Sequence, residues 1–233
     1  MAVLVASVRA LKYNGGVARP NLTQENLAAL EAGLPNLVKH IENIHSFGVP
    51  CLVALNHFAT DTPAEIERVA AQCRQSGVRM AVSDVFSQGS AGGRELAESL
   101  LEILKEEPLD FRLLYPDDLP LLEKMQRIAR QIYGAADIAL TPAARKDLDN
   151  LNALGCSHLP VCMAKTQYSL SDNPESLGRP SGFTITVREL RLSAGAGFIV
   201  ALTGDIMTLP GLPKVPAAEK IDMDAAGVIS GLF

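Results

Sequence analysis

The chain contains no tryptophan, and its aromatic residues are few: seven phenylalanines and four tyrosines in 233 residues. A stacking site for a flat ring therefore has a short roster to draw on. The four cysteines, Cys51, Cys73, Cys156 and Cys162, include no C-x-x-C pair, which excludes a disulfide framework and suits a reducing cytoplasm. No apolar run approaches the roughly 20 residues of a membrane span. The best candidates, Val49 to Leu55 and Gly195 to Leu202, have the length of interior strands. Met1 to Val8 is apolar but lacks the basic flank and cleavage pattern of a signal peptide. Positive charge is also scarce: 21 Lys plus Arg oppose 26 Asp plus Glu, and no basic cluster exceeds Arg145-Lys146. Nucleic acid and anionic membrane are thereby excluded as expected partners.

Several chemical signatures are missing as well. A Walker loop needs a lysine after a glycine, because that side chain must reach the outer phosphates from a backbone cradle; no lysine here follows a glycine. No G-x-S-x-G elbow occurs, and nothing pairs a particular serine or cysteine with a histidine. His40, His45, His57 and His158 have no metal-ligand spacing. The residues accordingly assign no catalytic group and no metal site.

What is present is a well-punctuated α/β pattern. The residues are 48% hydrophobic, enough to bury a sizeable core. Strand-like runs at Ala2 to Ala6, Cys51 to Leu55, Val78 to Val82, Ala136 to Leu140 and Pro160 to Ala164 alternate with amphipathic helices, which predicts a parallel sheet with helical crossovers. Thr62-Pro63-Ala64-Glu65 combines an N-cap, a proline at the first helical position and a glutamate at the third, and Gly77 marks the stop, so a helix of roughly four turns is expected. Thr141-Pro142 to Gly155 reads the same way. Leu119, Leu122, Ile128 and Ile132 mark the apolar face of a helix ending near Gly134, with Lys124, Arg127 and Arg130 read as a solvated face rather than as an anion site. After Ala164 the texture changes to turn formers, followed by strands at Phe183 to Leu190 and Phe198 to Leu202, a smaller antiparallel C-terminal region. The Pro210 to Pro216 stretch reads as an extended surface tail. The first strand is apolar on both faces, like a central parallel strand, so neighbours are expected on both sides of it, with the rest of that sheet upstream of Met1 or on a separate chain.

Ligand sites of open α/β sheets gather at the carboxyl ends of the strands. Three segments fall there. Asn56 to Asp61 follows a buried strand and carries Phe58. Val85 to Gly93 is a glycine-rich strand-to-helix turn carrying Phe86, where the bland reading is a turn and the sharper one a helix N-terminus accepting an anion. Lys165-Thr166-Gln167-Tyr168 is either a polar surface loop or a ligand edge. Phe58 and Phe86 are the only aromatics at the ends of neighbouring expected strands, and two such rings could face one another across a slot.

Successive blocks of the chain resemble formate-tetrahydrofolate ligase. They run from Val8-Arg9-Ala10-Leu11-Lys12 with Gly15-Gly16, through His40-Ile41-Glu42-Asn43, Asn56-His57-Phe58 with Asp61-Thr62, and Ile132-Tyr133-Gly134-Ala135, to Leu159 through Ser169. Gly195-Ala196-Gly197-Phe198, Ile206 through Pro213 and Gly231-Leu232-Phe233 continue the series, so the resemblance covers essentially the whole chain. It implies formation of 10-formyltetrahydrofolate from formate, ATP and tetrahydrofolate by way of formyl phosphate, with ATP and tetrahydrofolate as substrates and no covalently bound cofactor. It also implies that this is the C-terminal portion of a longer enzyme whose P-loop part precedes Met1 or is a separate partner, and that the chain is a homo-oligomer. On this reading residues 1–34 are a remnant of the nucleotide-binding domain and 35–233 the folate-side domain. The pterin is expected between Phe58 and Phe86, the latter standing where the family has a tryptophan. Val82 is expected beside the nucleotide base. Ser90 replaces a usual glycine. The alternative from another class is a non-catalytic binding or scaffold domain of the same fold.

Overall fold

The computed structural model describes residues 1–204, 206 and 215–231. Three strands, β1 (Ala2–Ala6), β2 (Cys51–Asn56) and β3 (Arg79–Ser83), form a parallel sheet in the order β1-β2-β3. The central position belongs to β2, whose Cys51 to Leu55 are all buried, which is why that run is apolar without alternation. Among the described residues β1 pairs with β2 alone, so its other edge is open, on the side where the sequence reading expects a neighbour from upstream of Met1 or from a separate chain. Leu4 and Ala6 pack on the core, whereas Val3 and Val5 on the opposite face are 41% and 68% exposed.

Helices α1 (Val8–Asn14), α2 (Leu27–Ser46) and α3 (Pro63–Gln75) cover this sheet. Each start is written locally. Ser7 and Asn26 accept from the amides of Ala10 and Ala29 at the heads of α1 and α2, and Thr62 with Glu65 forms the reciprocal capping box of α3. α3 stops before Gly77, whose φ of 69° is in the left-handed region. The boundary read between residues 34 and 35 falls inside α2, and one core takes Leu30 and Leu34 from one side of it and Leu37 and Ile41 from the other.

α1 and α2 touch backbone to backbone. A Cβ placed on Gly33 would lie 1.9 Å from the Leu11 carbonyl oxygen, and one on Gly15 would lie 1.8 Å from that of Ala29. Gly33→Ala is expected to lower the unfolding free energy by about 1–3 kcal/mol by forcing the helices apart, read as a shift of the urea midpoint. An unchanged midpoint would show that the packing relaxes freely.

The remaining long strands, β4 (Asp137–Leu140), β5 (Val161–Ala164), β6 (Thr184–Ser193) and β7 (Phe198–Thr203), make a second sheet in the order β4-β6-β7-β5. The expected α/β class, a parallel sheet with helices between its strands and antiparallel pairing toward the C-terminus, holds, with the five leading strands divided between two sheets. β6 and β7 form an antiparallel hairpin, and β4 and β5 attach in parallel to its two outer edges. Between the sheets the chain forms the short α4 (Val85–Gln88), a 3-10 turn over Gly89–Gly93, α5 (Arg94–Glu106) and α6 (Leu121–Ile128). α6 widens into a π turn over Ala129–Tyr133 and ends at Gly134, φ 77°. α7 (Pro142–Ala153) follows, capped by Thr141. Leu121, Met125, Leu148, Leu151, Val187, Leu190 and Ile199 are among the residues of the second core.

The face of α6 is rotated from the expected one: Leu121, Lys124, Met125 and Ile128 are buried, while Leu119, Leu122 and Ile132 are half-buried. Arg127 and Arg130 are exposed as read, but Lys124 is not on a solvated face. Its ammonium lies inside, donating to the carbonyls of Asp117, Ser157 and Leu159. A small exposed hairpin, β8 (Asp222–Met223) with β9 (Ile229–Ser230), closes the described chain. Met207 to Pro213 of the sequence block, most of the 210–216 stretch and the terminal Leu232-Phe233 lie outside the described residues.

Candidate functional site

The carboxyl edge of the three-stranded sheet collects residues from three successive strand ends. After β1, Ser7 caps α1 by accepting from the Ala10 amide at 3.2 Å and so sets Arg9 in the first turn. After β2 the chain turns tightly: the Phe58 amide donates to Asp61 Oδ2 at 3.0 Å and the Asp61 amide to the Phe58 carbonyl at 2.8 Å. After β3, Asp84 leads into α4 and Phe86. The His57 amide donates to the Ser83 carbonyl at 3.0 Å, which joins the second and third ends.

The groups at this edge are of mixed chemistry. Phe58 is half-buried, and the Arg9 guanidinium lies over its ring at 4.1 Å from the centroid, donating as well to Thr60 Oγ1 at 3.1 Å. Arg9 Nε and Asp61 Oδ1 are buried and have no hydrogen-bond partner among the described residues. His57 Nδ1 is 3.3 Å from Asp84 Oδ1. The Asp84 carboxyl is held below its ordinary range by the hydrogen bonds from Ser87 and Gln88 and, secondarily, by His57. That carboxylate sits at the head of the glycine-rich turn and opposes an anion there.

Phe58 and Phe86 thus stand at the ends of adjacent strands, but their surroundings differ. Phe86 is 97% exposed, so its ring is stacked on nothing. Val82 is half-buried in β3, in register with Leu55. Arg9, Asp61 and the His57–Asp84 pair were not singled out as site residues by sequence reading. The available signal was their position: each lies within a few residues of the carboxyl end of a parallel strand.

The Lys165 loop lies elsewhere, at the end of β5. Lys165 Nζ donates to the carbonyls of Thr166 and Ser169 and lies 5.0 Å from the centre of the Tyr133 ring. Burial pulls its pKa down to about 8, with Asp172 opposing the shift. Burial likewise raises the Tyr133 hydroxyl and, with Lys165 and Lys39 nearby, lowers His40. Thr166, Gln167, Tyr168, Asp172, Asn173 and Arg188 border a cleft of about 760 Å³. With its amine committed to two carbonyls, Lys165 holds this loop closed on itself.

Among the described residues no group of three or more His, Cys, Asp or Glu is arranged to hold a metal ion, and no helix is long and apolar enough to cross a membrane. The family model described as formate–tetrahydrofolate ligase matches residues 1–233. The strand-edge site therefore has a family context that matches the whole length of the sequence, and the chain belongs to the formate–tetrahydrofolate ligase family.

Proposed function

We propose that this chain supplies the folate side of a ligase that joins formate to tetrahydrofolate at the expense of ATP, giving 10-formyltetrahydrofolate. The observation that carries the reading is the placement of Phe58 and Phe86 at the carboxyl ends of adjacent parallel strands, where ligands of open α/β sheets collect. Phe58, half-buried and fixed by the Asp61 turn, is the platform for the pterin ring. Phe86 is the second ring, open to solvent and free to close over the bound ligand. Val82, in β3 just before Phe86, is the contact for the nucleotide base of the complete enzyme.

Phosphoryl transfer depends on positive charge and backbone amides converging on the phosphates, and no lysine of the sequence follows a glycine. ATP and formate are handled by a P-loop-bearing portion, on the same polypeptide or a partner, and the open edge of β1, with Val3 and Val5 exposed, is where self-association or that portion would cover apolar surface. The same lack of a phosphate-gripping lysine favours the second reading, a non-catalytic folate-binding or scaffold module.

Isothermal titration with tetrahydrofolate and with ATP separately tests the assignment. Tetrahydrofolate is expected to bind and ATP not to. Phe58→Ala is expected to weaken the folate by about tenfold or more while the fold survives, since the lost ring contributes stacking and buried area to the ligand. Unchanged affinity in a folded Phe58→Ala variant rejects the platform. Formate-dependent ATP hydrolysis by the purified chain rejects the division of labour.

A further inference from the structure

We propose that Arg9 is a displaceable plug of the ring slot, its guanidinium occupying the face of Phe58 on which a flat heteroaromatic ligand stacks. The inference rests on the reading of Phe58 as the ring platform. A guanidinium is planar, and with its carbon 4.1 Å from the ring centroid it fills the layer that a stacked heterocycle would take. The two cannot share that face.

The seat is a poor one for an arginine. Among the described residues Nε, shut off from water, has no acceptor, and the guanidinium makes one hydrogen bond, to the hydroxyl of Thr60, an exposed residue. No carboxylate pairs with it among the described residues, whereas Arg179 is held at both terminal nitrogens by Glu42, and Arg68 at Nε and one terminal nitrogen by Glu31. The unpartnered Asp61 Oδ1 is buried in the same turn as Phe58 and is not paired with Arg9 either. The attraction of the cation to the ring is modest, and the buried, unmet N–H offsets it.

The backbone beneath is firm by comparison. Val8, Leu11 and Lys12 of the same short helix are buried, and Ser7 caps it. Displacement is therefore a side-chain rotation of Arg9 and not a movement of α1. An arginine stays charged at any ordinary pH, so the plug is opened by the ligand's own stacking and not by a proton.

A ligand that must first evict a resident group has its affinity reduced by the fraction of time the slot is open. Removing the plug has a signed consequence. Titration of tetrahydrofolate into wild type, Arg9→Ala, Phe58→Ala and the double variant is expected to show Arg9→Ala about threefold to tenfold tighter than wild type. The gain should vanish in the double variant. Arg9→Ala that binds no more tightly than wild type, while Phe58→Ala still weakens binding, overturns the plug and leaves the platform standing. Phe58→Ala without effect, or no binding by either wild type or Arg9→Ala, overturns both; binding only after Arg9→Ala supports the plug. Should Arg9→Ala fail to fold, nuclear magnetic resonance of the wild type decides: the Arg9 Nε–H signal should carry the ring-current shift of Phe58 and lose it at saturating ligand, and retention of that shift overturns the proposal.

Discussion

Glu65→Ala is expected to remove about 3–5 kcal/mol of stability, a large share of what a domain of this size has to lose. Glu65 and Lys12 are both wholly buried and their charges meet at 2.8 Å. Further hydrogen bonds hold the pair: Lys12 Nζ donates to the Gln24 carbonyl at 2.8 Å, and Glu65 accepts from the amides of Asn26 and Thr62, each at 3.1 Å. One ion pair thus fastens α1, the approach to α2 and the cap of α3. Deleting the carboxylate leaves a buried ammonium with only one carbonyl to answer it. Lys12→Met combined with Glu65→Leu should recover part of the loss, because no uncompensated charge is left buried, but not all of it, since the Gln24 carbonyl and the amides of Asn26 and Thr62 lose their partners. Urea unfolding of the single and double variants measures this, and a single variant within about 1 kcal/mol of wild type would show that water reaches the pair.

The same carboxylate gives the stability a pH dependence of definite sign. Burial raises the Glu65 pKa, but the hydrogen bonds from Lys12 and from the backbone of Thr62 and Asn26 outweigh it, and the net shift is downward. The unfolded chain therefore binds the proton more readily than the folded one. Its contribution is complete above the ordinary glutamate range and is lost as pH falls through the depressed folded value. Wild type should weaken on acidification over that window, and Glu65→Ala should lack that part of the dependence.

Lys124→Met is expected to cost about 3 kcal/mol. The ammonium is fully buried and donates to three carbonyls, Asp117 at 2.6 Å, Ser157 at 2.8 Å and Leu159 at 3.1 Å. No side-chain carboxylate bonds to it among the described residues, and burial lowers its pKa, with Asp117 and Asp118 opposing. Methionine has nearly the same length, so the packing around Leu121 and Met125 should hold while three acceptors lose their donor, each worth roughly 1–3 kcal/mol when left buried, partly offset by the charge no longer buried. Lys124→Arg should not restore stability, because a planar fork cannot converge on three carbonyls as an ammonium does. The Lys124 knot joins α6 to the turns before it and after α7, so a melt that loses the second core before the first is the accompanying sign. A neutral Lys124→Met would mean that those carbonyls find other donors.

The local punctuation of this protein is legible in its sequence. The expected strand starting at Val78 begins one residue later at Arg79, and the Thr62 cap, the Gly77 and Gly155 stops and the Gly134 terminus stand where caps and glycines put them. These features depend on neighbours a few residues away, and a capping box or a left-handed glycine carries its own geometry. The candidate edge was legible for a similar reason, since Phe58 and Phe86 follow short, strand-like apolar runs.

Pairing was not legible. Whether β1 is an edge or a centre, and whether β4 and β5 join the first sheet or flank the β6–β7 hairpin, depends on strands that meet across tens of residues, and an apolar strand is compatible with either answer. The buried charges escaped for the same reason. Lys12 finds Glu65 at a separation of 53 residues and Lys124 finds Leu159 at 35, and only the folded chain brings those acceptors to a lysine that would otherwise have to face water. Arg9 over Phe58 belongs with them. Helix and strand ends were set by the residues at hand, whereas partners, burial of charge and the occupied face of the ring were decided by the tertiary structure, because they depend on groups that are neighbours in space and not in sequence.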